Sequence, residues 1–109
     1  MRPGAAFLTD PTVIGATVGT SISPVLTASE GRGVVIIHNP SLTGGPTIAL
    51  ITANSYNLGA GIVPSATTPV GGQITLPPGA YVVFDNTRLA SALVGIASAA
   101  GAPLTFWVF

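Results

Sequence analysis

Proline and glycine together make up 24 of the 109 residues and occur along most of the chain. Because proline removes a helical hydrogen bond and glycine carries an entropic cost in a helix, long helices are excluded from most of the sequence. Short runs rich in valine, isoleucine, leucine and threonine lie between the turn residues and are typical of strands. The sequence therefore predicts an all-β protein, and its length suits one domain with a single core.

Charged side chains are rare, at 6% of the sequence. The 52 residues from Gly33 to Phe84 carry none, and the formal net charge is zero. A soluble surface typically has roughly 25–35% charged residues, and a net charge near zero does little to prevent self-association. We therefore expect other chains to cover much of the surface, as in a homo-oligomer (a dimer or a trimer). The six charged residues are Arg2, Asp10, Glu30, Arg32, Asp85 and Arg88.

The same composition argues against several function classes. Three arginines and no lysine are too few for the phosphate contacts of a nucleic-acid-binding protein. The absence of cysteine excludes a disulfide framework and a thiolate metal site. Pro3, Thr9, Asp10 and Pro11 interrupt the apolar core that a signal peptide needs, so we expect no export by that route.

No group of residues has the pattern of an active site. His38 is the only histidine, and without a nearby acid or second ligand we expect it to be hydrogen-bonded at a strand end. Asp85 and Arg88 are three residues apart, which favours a surface pair or a turn cap. Gly59–Gly61 and Gly71-Gly72 lack the following Lys-Ser or Lys-Thr of a phosphate-binding loop. We predict no catalytic, cofactor or metal site and do not expect an enzyme.

The apolar run Val34–His38 is the strongest strand signal. It begins after a glycine and ends at Asn39-Pro40, which predicts a central strand covered on both faces. Gly44-Gly45-Pro46 suits a hairpin loop. We therefore expect the following run, Thr47–Ala53, to pair with Val34–His38 in antiparallel fashion.

The remaining strands are short and bounded by turn residues. Pro24 cannot donate to a ladder, so its strand belongs at an edge or at a bulge. The last two runs predict a terminal hairpin, whose second arm places Trp107 and Phe109 on one face and Phe106 on the other. About eight such strands predict an antiparallel β-sandwich or jelly roll. The other predicted strands are Thr12–Val18, Ser21–Ala28, Gln73–Leu76, Ala80–Phe84, Ala92–Ser98 and Leu104–Phe109.

Residues 1–11 have no regular spacing of apolar side chains, as a strand or a helix would have. They therefore predict an extended N-terminal arm before a domain that spans residues 12–109. The arm's large apolar side chains dock either on the domain or on a partner. Residues 54–72 are irregular, and a loop of this length is more often functional or partner-bound than idle. Trp107 and Phe109 either fill the core with Phe84 or anchor an interface. The candidate interface residues are Phe7, Leu8, Val13, Ile14, Tyr56, Leu58, Trp107 and Phe109.

The last 21 residues, Leu89–Phe109, carry no charge and have the length of a membrane span. Gly95, Gly101 and Pro103 argue against a spanning helix, and the run divides more naturally into two strands. A small membrane protein with a span at 89–109 remains an alternative, although we expect no membrane contact.

Three segments of the chain carry turn and packing signals that occur together: GRGVVIIHNPS (31–41), ITLPPG (74–79) and IASAAGAPLT (96–105). With these segments the chain resembles small structural proteins of tailed bacteriophage virions. The pattern of that family is a basic residue before an apolar strand that ends in Asn-Pro or Asn-Ser, a Leu-x-Pro-Gly turn, and a small-residue run with Ala-Gly-Thr before the final strand. In this chain Leu76 is followed by two prolines and Gly101 by Ala102-Pro103, so both turns depart slightly from the pattern.

The resemblance implies a β-sandwich or jelly-roll protein that decorates and cements a phage capsid by clamping adjacent major capsid subunits. It implies a location on the capsid exterior, after assembly in the host cytoplasm, and no cofactor. A phage tail or head-to-tail connector component would share this fold and composition. A sugar-binding module is a further alternative and would use Tyr56, Tyr81 and Trp107.

Overall fold

The computed structural model of the chain describes residues 12–27, 34–57, 62–84 and 92–109. Those residues form eight short strands and one helix of five residues. Four residues of the helix lie in the segment 54–72, for which the sequence predicts no regular structure, and its first residue, Ala53, is the last residue of a predicted strand. The strands are β1 (Thr12–Val18), β2 (Ser23–Leu26), β3 (Val35–His38), β4 (Ile48–Thr52), β5 (Ile74–Leu76), β6 (Tyr81–Phe84), β7 (Leu93–Ala97) and β8 (Ala102–Val108), and the helix is α1 (Ala53–Asn57).

The strands form two four-stranded antiparallel sheets. Sheet 1 has the order β1-β8-β3-β6, and sheet 2 has the order β2-β7-β4-β5. β1 pairs with β8, β2 with β7, β3 with β6 and β4 with β5. The pairing is therefore nested: the first strand pairs with the last, the second with the last but one, and so on inward. This nested pairing is the topology of a jelly roll. The predicted all-β sandwich is confirmed.

The core lies between the two sheets, because alternate side chains of each strand point inward. Ile37 and Phe106 are fully buried from sheet 1, and Ile48, Leu50 and Leu93 are fully buried from sheet 2. Phe106 is the largest fully buried side chain among the described residues. Burial of this apolar surface is the main favourable contribution to folding.

β3 is an inner strand of sheet 1, as predicted, but its two faces differ. Val35 and Ile37 are buried, whereas Ile36 and His38 on the other face are only partly buried. The predicted coverage of both faces is therefore wrong. The predicted pairing with the next strand is also wrong, because β3 pairs with β6 and β8 while β4 pairs with β5 and β7.

The chain crosses from sheet 1 to sheet 2 directly after β3, and Asn39 holds this crossing in place. Its side chain is fully buried, and its Nδ2 donates to Pro46 O and to Leu76 O, both at 2.9 Å. Its Oδ1 accepts a hydrogen bond from Ser41 N at 3.1 Å. Asn39 thus joins the end of β3 to the approach to β4 and to the end of β5.

The last two strands do not form the predicted hairpin. β7 lies in sheet 2 between β2 and β4, whereas β8 lies in sheet 1 between β1 and β3. Residues 98–101 carry the chain between the sheets, and Gly101 adopts a positive φ of 74° there. Both strands are inner strands, which explains why this part of the sequence is apolar enough to match the length of a membrane span. Within the ranges given above, no helix is long and apolar enough to cross a membrane.

Pro24 lies where the sequence predicts it. β2 is an edge strand of sheet 2, and its register with β7 shifts between Pro24 and Leu26. The missing amide donor of proline is tolerated at such a position because the ladder is already interrupted.

Candidate interaction surface

The outward face of sheet 1 carries an apolar row that crosses all four strands. Val13 in β1 lies opposite Trp107 in β8, Trp107 lies opposite Ile36 in β3, and Ile36 lies opposite Val83 in β6. Directly opposite residues project to the same face, so these side chains are neighbours across roughly 14 Å. Val13, Trp107 and Val83 expose 54%, 40% and 45% of their surface.

Two aromatic side chains extend this row. Tyr81 is two residues before Val83 in β6 and Phe109 is two residues after Trp107, so both project to the same face. The Phe109 amide N donates to Val34 O at 2.9 Å, which continues the ladder between β8 and β3. Both rings are more than half exposed. We call the set the outer patch: Val13, Ile36, Tyr81, Val83, Trp107 and Phe109.

Sheet 2 has a different outward face. Ala49, Ile51 and Val94 alternate with the core positions and point away from sheet 1, yet all three are buried. α1 contacts β4 and β7, and the segment after it contains the buried Pro64. The chain therefore covers the outward apolar side chains of sheet 2 itself, whereas the outer patch of sheet 1 stays exposed in the described part of the protein.

Hydrogen bonds hold α1 and the described residues that follow it in place. Thr52 Oγ1 accepts a hydrogen bond from Ser55 N at 3.3 Å at the start of α1, and Ile62 N donates to Ser55 O at 3.1 Å. Further along, the Gln73 side chain accepts from Ser65 N at 2.9 Å and donates to Ser65 O at 2.9 Å. The described residues between 54 and 72 are thus tied to one another and to sheet 2.

Replacing Gln73 by glutamate should loosen this segment. The amide Nε2 donates both to Ser65 O and to Thr75 Oγ1, and a carboxylate offers no donor to either. We expect the free energy of unfolding to fall by about 1–2 kcal/mol, because Ser65 O loses its donor. Urea denaturation measures this effect.

The matched control for Gln73 is Thr68→Ala. Thr68 is exposed and donates to Ser65 Oγ through its backbone N, a bond that alanine keeps. This variant should leave the free energy of unfolding within about 0.5 kcal/mol of the wild-type value. Equal effects of the two substitutions would contradict the role assigned to Gln73.

The outer patch contains no charged side chain. All six charged residues lie outside the described ranges, as does the predicted pair Asp85 and Arg88. His38, partly buried, lies on the outward face of β3, opposite Tyr81 in β6 and Thr105 in β8. Among the described residues, no cluster of three or more histidine, aspartate or glutamate side chains could hold a metal ion.

The structure brings together some of the predicted interface residues and separates others. Val13 and Trp107 are direct cross-strand neighbours, and Phe109 shares their face. Ile14 lies on the inward face of β1 opposite Phe106, and Tyr56 lies in α1, a helix that contacts β4 and β7 of sheet 2. Phe7, Leu8 and Leu58 lie outside the described residues, as does the rest of the predicted arm.

Of the two alternatives given for Trp107 and Phe109, the structure contradicts burial in the core. Trp107 and Phe109 do not fill the core with Phe84, since both are exposed on the outer patch, whereas Phe84 packs against the core from the inward face of β6. Ile36, Tyr81 and Val83 are members of the patch that the candidate residues do not include. Alternation along β6 places Tyr81 and Val83 on one face, but only the register with β3 and β8 shows that this face is shared with Trp107.

No family model, curated protein or solved structure is significantly similar to this chain.

Proposed function

We propose that this protein is a structural component of a bacteriophage virion that decorates the capsid and cements adjacent major capsid subunits. The observation that carries the proposal is the outer patch, a contiguous apolar and aromatic face on a chain with very few charges. Contiguous exposed apolar patches mark interaction sites more often than scattered apolar residues do. The resemblance of residues 31–109 to virion proteins favours a capsid as the partner.

Burial of apolar surface would drive binding of the outer patch to the capsid. Trp107, Tyr81 and Phe109 supply the large side chains that dominate the energy of many protein interfaces. The described residues bring no lysine, arginine, aspartate or glutamate to the contact. We therefore expect the affinity for the capsid to change little with ionic strength, because screening acts on charges and not on apolar burial. The arm formed by residues 1–11, with Phe7 and Leu8, is the proposed second contact.

The test is addition of the purified protein to phage heads that lack it, followed by sedimentation of the heads. Val83→Lys places a charge in the outer patch, and we expect it to weaken binding by about tenfold or more. Leu42→Lys is the matched control, because Leu42 is 84% exposed but lies in the loop between β3 and β4. This control should bind as the wild type does.

Four results would decide against parts of the proposal. Failure of the wild-type chain to bind heads would overturn the capsid role, and equal binding of Val83→Lys would remove the outer patch from it. Equal binding after deletion of residues 1–11 would remove the arm. A binding stoichiometry far below one copy per capsid subunit would instead favour a connector or tail component.

A further inference from the structure

The four edge strands of the sandwich differ in how they discourage pairing with another chain. β2 has four residues, a proline and a register shift, while β5 has three residues and β6 has four. Short edge strands, prolines and bulges are the features by which proteins block pairing between edges. β1 has seven residues, contains no proline or charge, and keeps a continuous register with β8 along its whole length.

β1 pairs with β8 along one side, and in the described part of the protein its other side has no strand neighbour. The first four residues of β1 are exposed. An exposed, regular and uncharged edge presents a row of backbone N–H and C=O groups that an additional strand can pair with. This edge is therefore the site in the sandwich best suited to strand addition.

We propose that the occupant of this edge is β1 of a second copy, paired antiparallel about a twofold axis at Gly15. This register pairs all seven residues and provides about six to eight backbone hydrogen bonds. It places a large side chain beside a smaller one, since Ile14 lies opposite the partner's Ala16 and Val13 lies opposite the partner's Thr17. No charge repels the two strands, and Gly15 meets itself at the axis without side chains.

The dimer contains one continuous sheet of eight strands, in which both copies of sheet 1 share an outward face. The two outer patches then lie on the same side of the assembly. A surface with two binding patches gains avidity for any partner lattice that can engage both. The dimer itself does not depend on the proposed capsid role, since β1 pairing is a property of the isolated chain.

A single introduced cysteine tests the register, because the natural chain has none. Directly opposite residues in an antiparallel pair have Cα atoms about 4.5–5.5 Å apart, which suits a disulfide. We expect Gly15→Cys to form a covalent dimer under mild oxidation. Thr17→Cys lies on the same face of the same strand but about 13 Å from its symmetry mate, so it should stay monomeric on a non-reducing gel.

A pair of charge variants tests the interface without oxidation. A Cβ at Gly15 meets no atom within 4 Å, so the isolated subunit accommodates a side chain there. Gly15→Lys and Gly15→Glu each place like charges opposite one another at the axis, and we expect each to raise the dimer dissociation constant at least about fivefold. An equal mixture of the two should restore dimerisation, and Gly15→Thr should dimerise as the wild type does.

Sedimentation velocity of the wild-type chain decides first whether the dimer exists. A chain that stays monomeric up to its solubility limit overturns the proposal. Equal cross-linking of Gly15→Cys and Thr17→Cys, or no rescue on mixing the two charge variants, overturns the proposed axis. A dimer that passes these tests but does not bind phage heads would contradict the capsid role and leave the β1 interface intact.

Discussion

Replacing Asn39 by aspartate is expected to lower the free energy of unfolding by about 3 kcal/mol or more. The Asn39 side chain is fully buried and its Nδ2 donates to two carbonyl oxygens, those of Pro46 and Leu76. An ionised aspartate has no hydrogen to donate to either carbonyl oxygen. Its buried negative charge would also have no cationic side chain beside it among the described residues. Loss of this side chain would therefore weaken the crossing between the two sheets.

Urea denaturation at neutral pH measures the effect of Asn39→Asp. Asn54→Asp makes the same chemical change at an exposed position in α1 and should alter the free energy of unfolding by less than about 0.5 kcal/mol. If the two variants were equally stable, Asn39 would not hold the crossing as the structure indicates.

Replacing Phe106 by alanine is expected to lower the free energy of unfolding by about 3–5 kcal/mol. Phe106 is fully buried in β8 between Ile14 of β1 and Ile37 of β3. Its removal forfeits the burial of a large apolar side chain and leaves a cavity that its neighbours can fill only in part. Since small domains are stable by only about 5–15 kcal/mol, a large part of the total would be lost.

The neighbouring Trp107 provides the matched control. It is one residue further along β8 and faces outward, with Val13 and Ile36 beside it. Trp107→Ala should lower the free energy of unfolding by about 1 kcal/mol, because only cross-strand contacts on an exposed face are lost. It should weaken binding to phage heads, whereas a loss of stability as large as that of Phe106→Ala would contradict its outward placement.

The two aromatic residues show how β8 divides its roles between its faces. Phe106 holds the sandwich together and Trp107 belongs to the proposed interaction surface. The same division applies in β6, where Val82 and Phe84 pack against the core while Tyr81 and Val83 are exposed. Among the described residues, the outward side chains of sheet 2 are buried and the outer patch of sheet 1 is exposed, and this asymmetry is what the proposed capsid-binding role requires.

Local patterns predicted the strands well. Period-two alternation and the bounding glycines and prolines placed β1 and β8 close to their observed ends, and proline chemistry placed Pro24 at an edge with a bulge. The same alternation placed Phe106 and Trp107 on opposite faces of β8. It did not show which of these two faced the core, because both faces of the strand are apolar.

The assignment of strands to sheets lay beyond the sequence. β3 and β4, and again β7 and β8, follow one another closely, and short connections favour hairpins when nothing else is known. In the structure each pair is instead split between the two sheets, and all four strands are inner strands with a neighbour on each side. The irregular segment at 54–72 likewise had no predicted place. In its described part, the hydrogen bonds between Ser65 and Gln73 and the burial of Pro64 arise only in the folded chain.

The amino-acid sequence by itself determined the all-β class, the positions of the strands and the scarcity of charge, because these depend on backbone conformational preferences and side-chain chemistry at each position. Only the tertiary structure decided that Val13, Ile36, Val83 and Trp107 form one row and that, among the described residues, β1 has a strand neighbour on one side only. Residues far apart in the chain become neighbours through strand register, and register is set by how the two sheets close over a shared core.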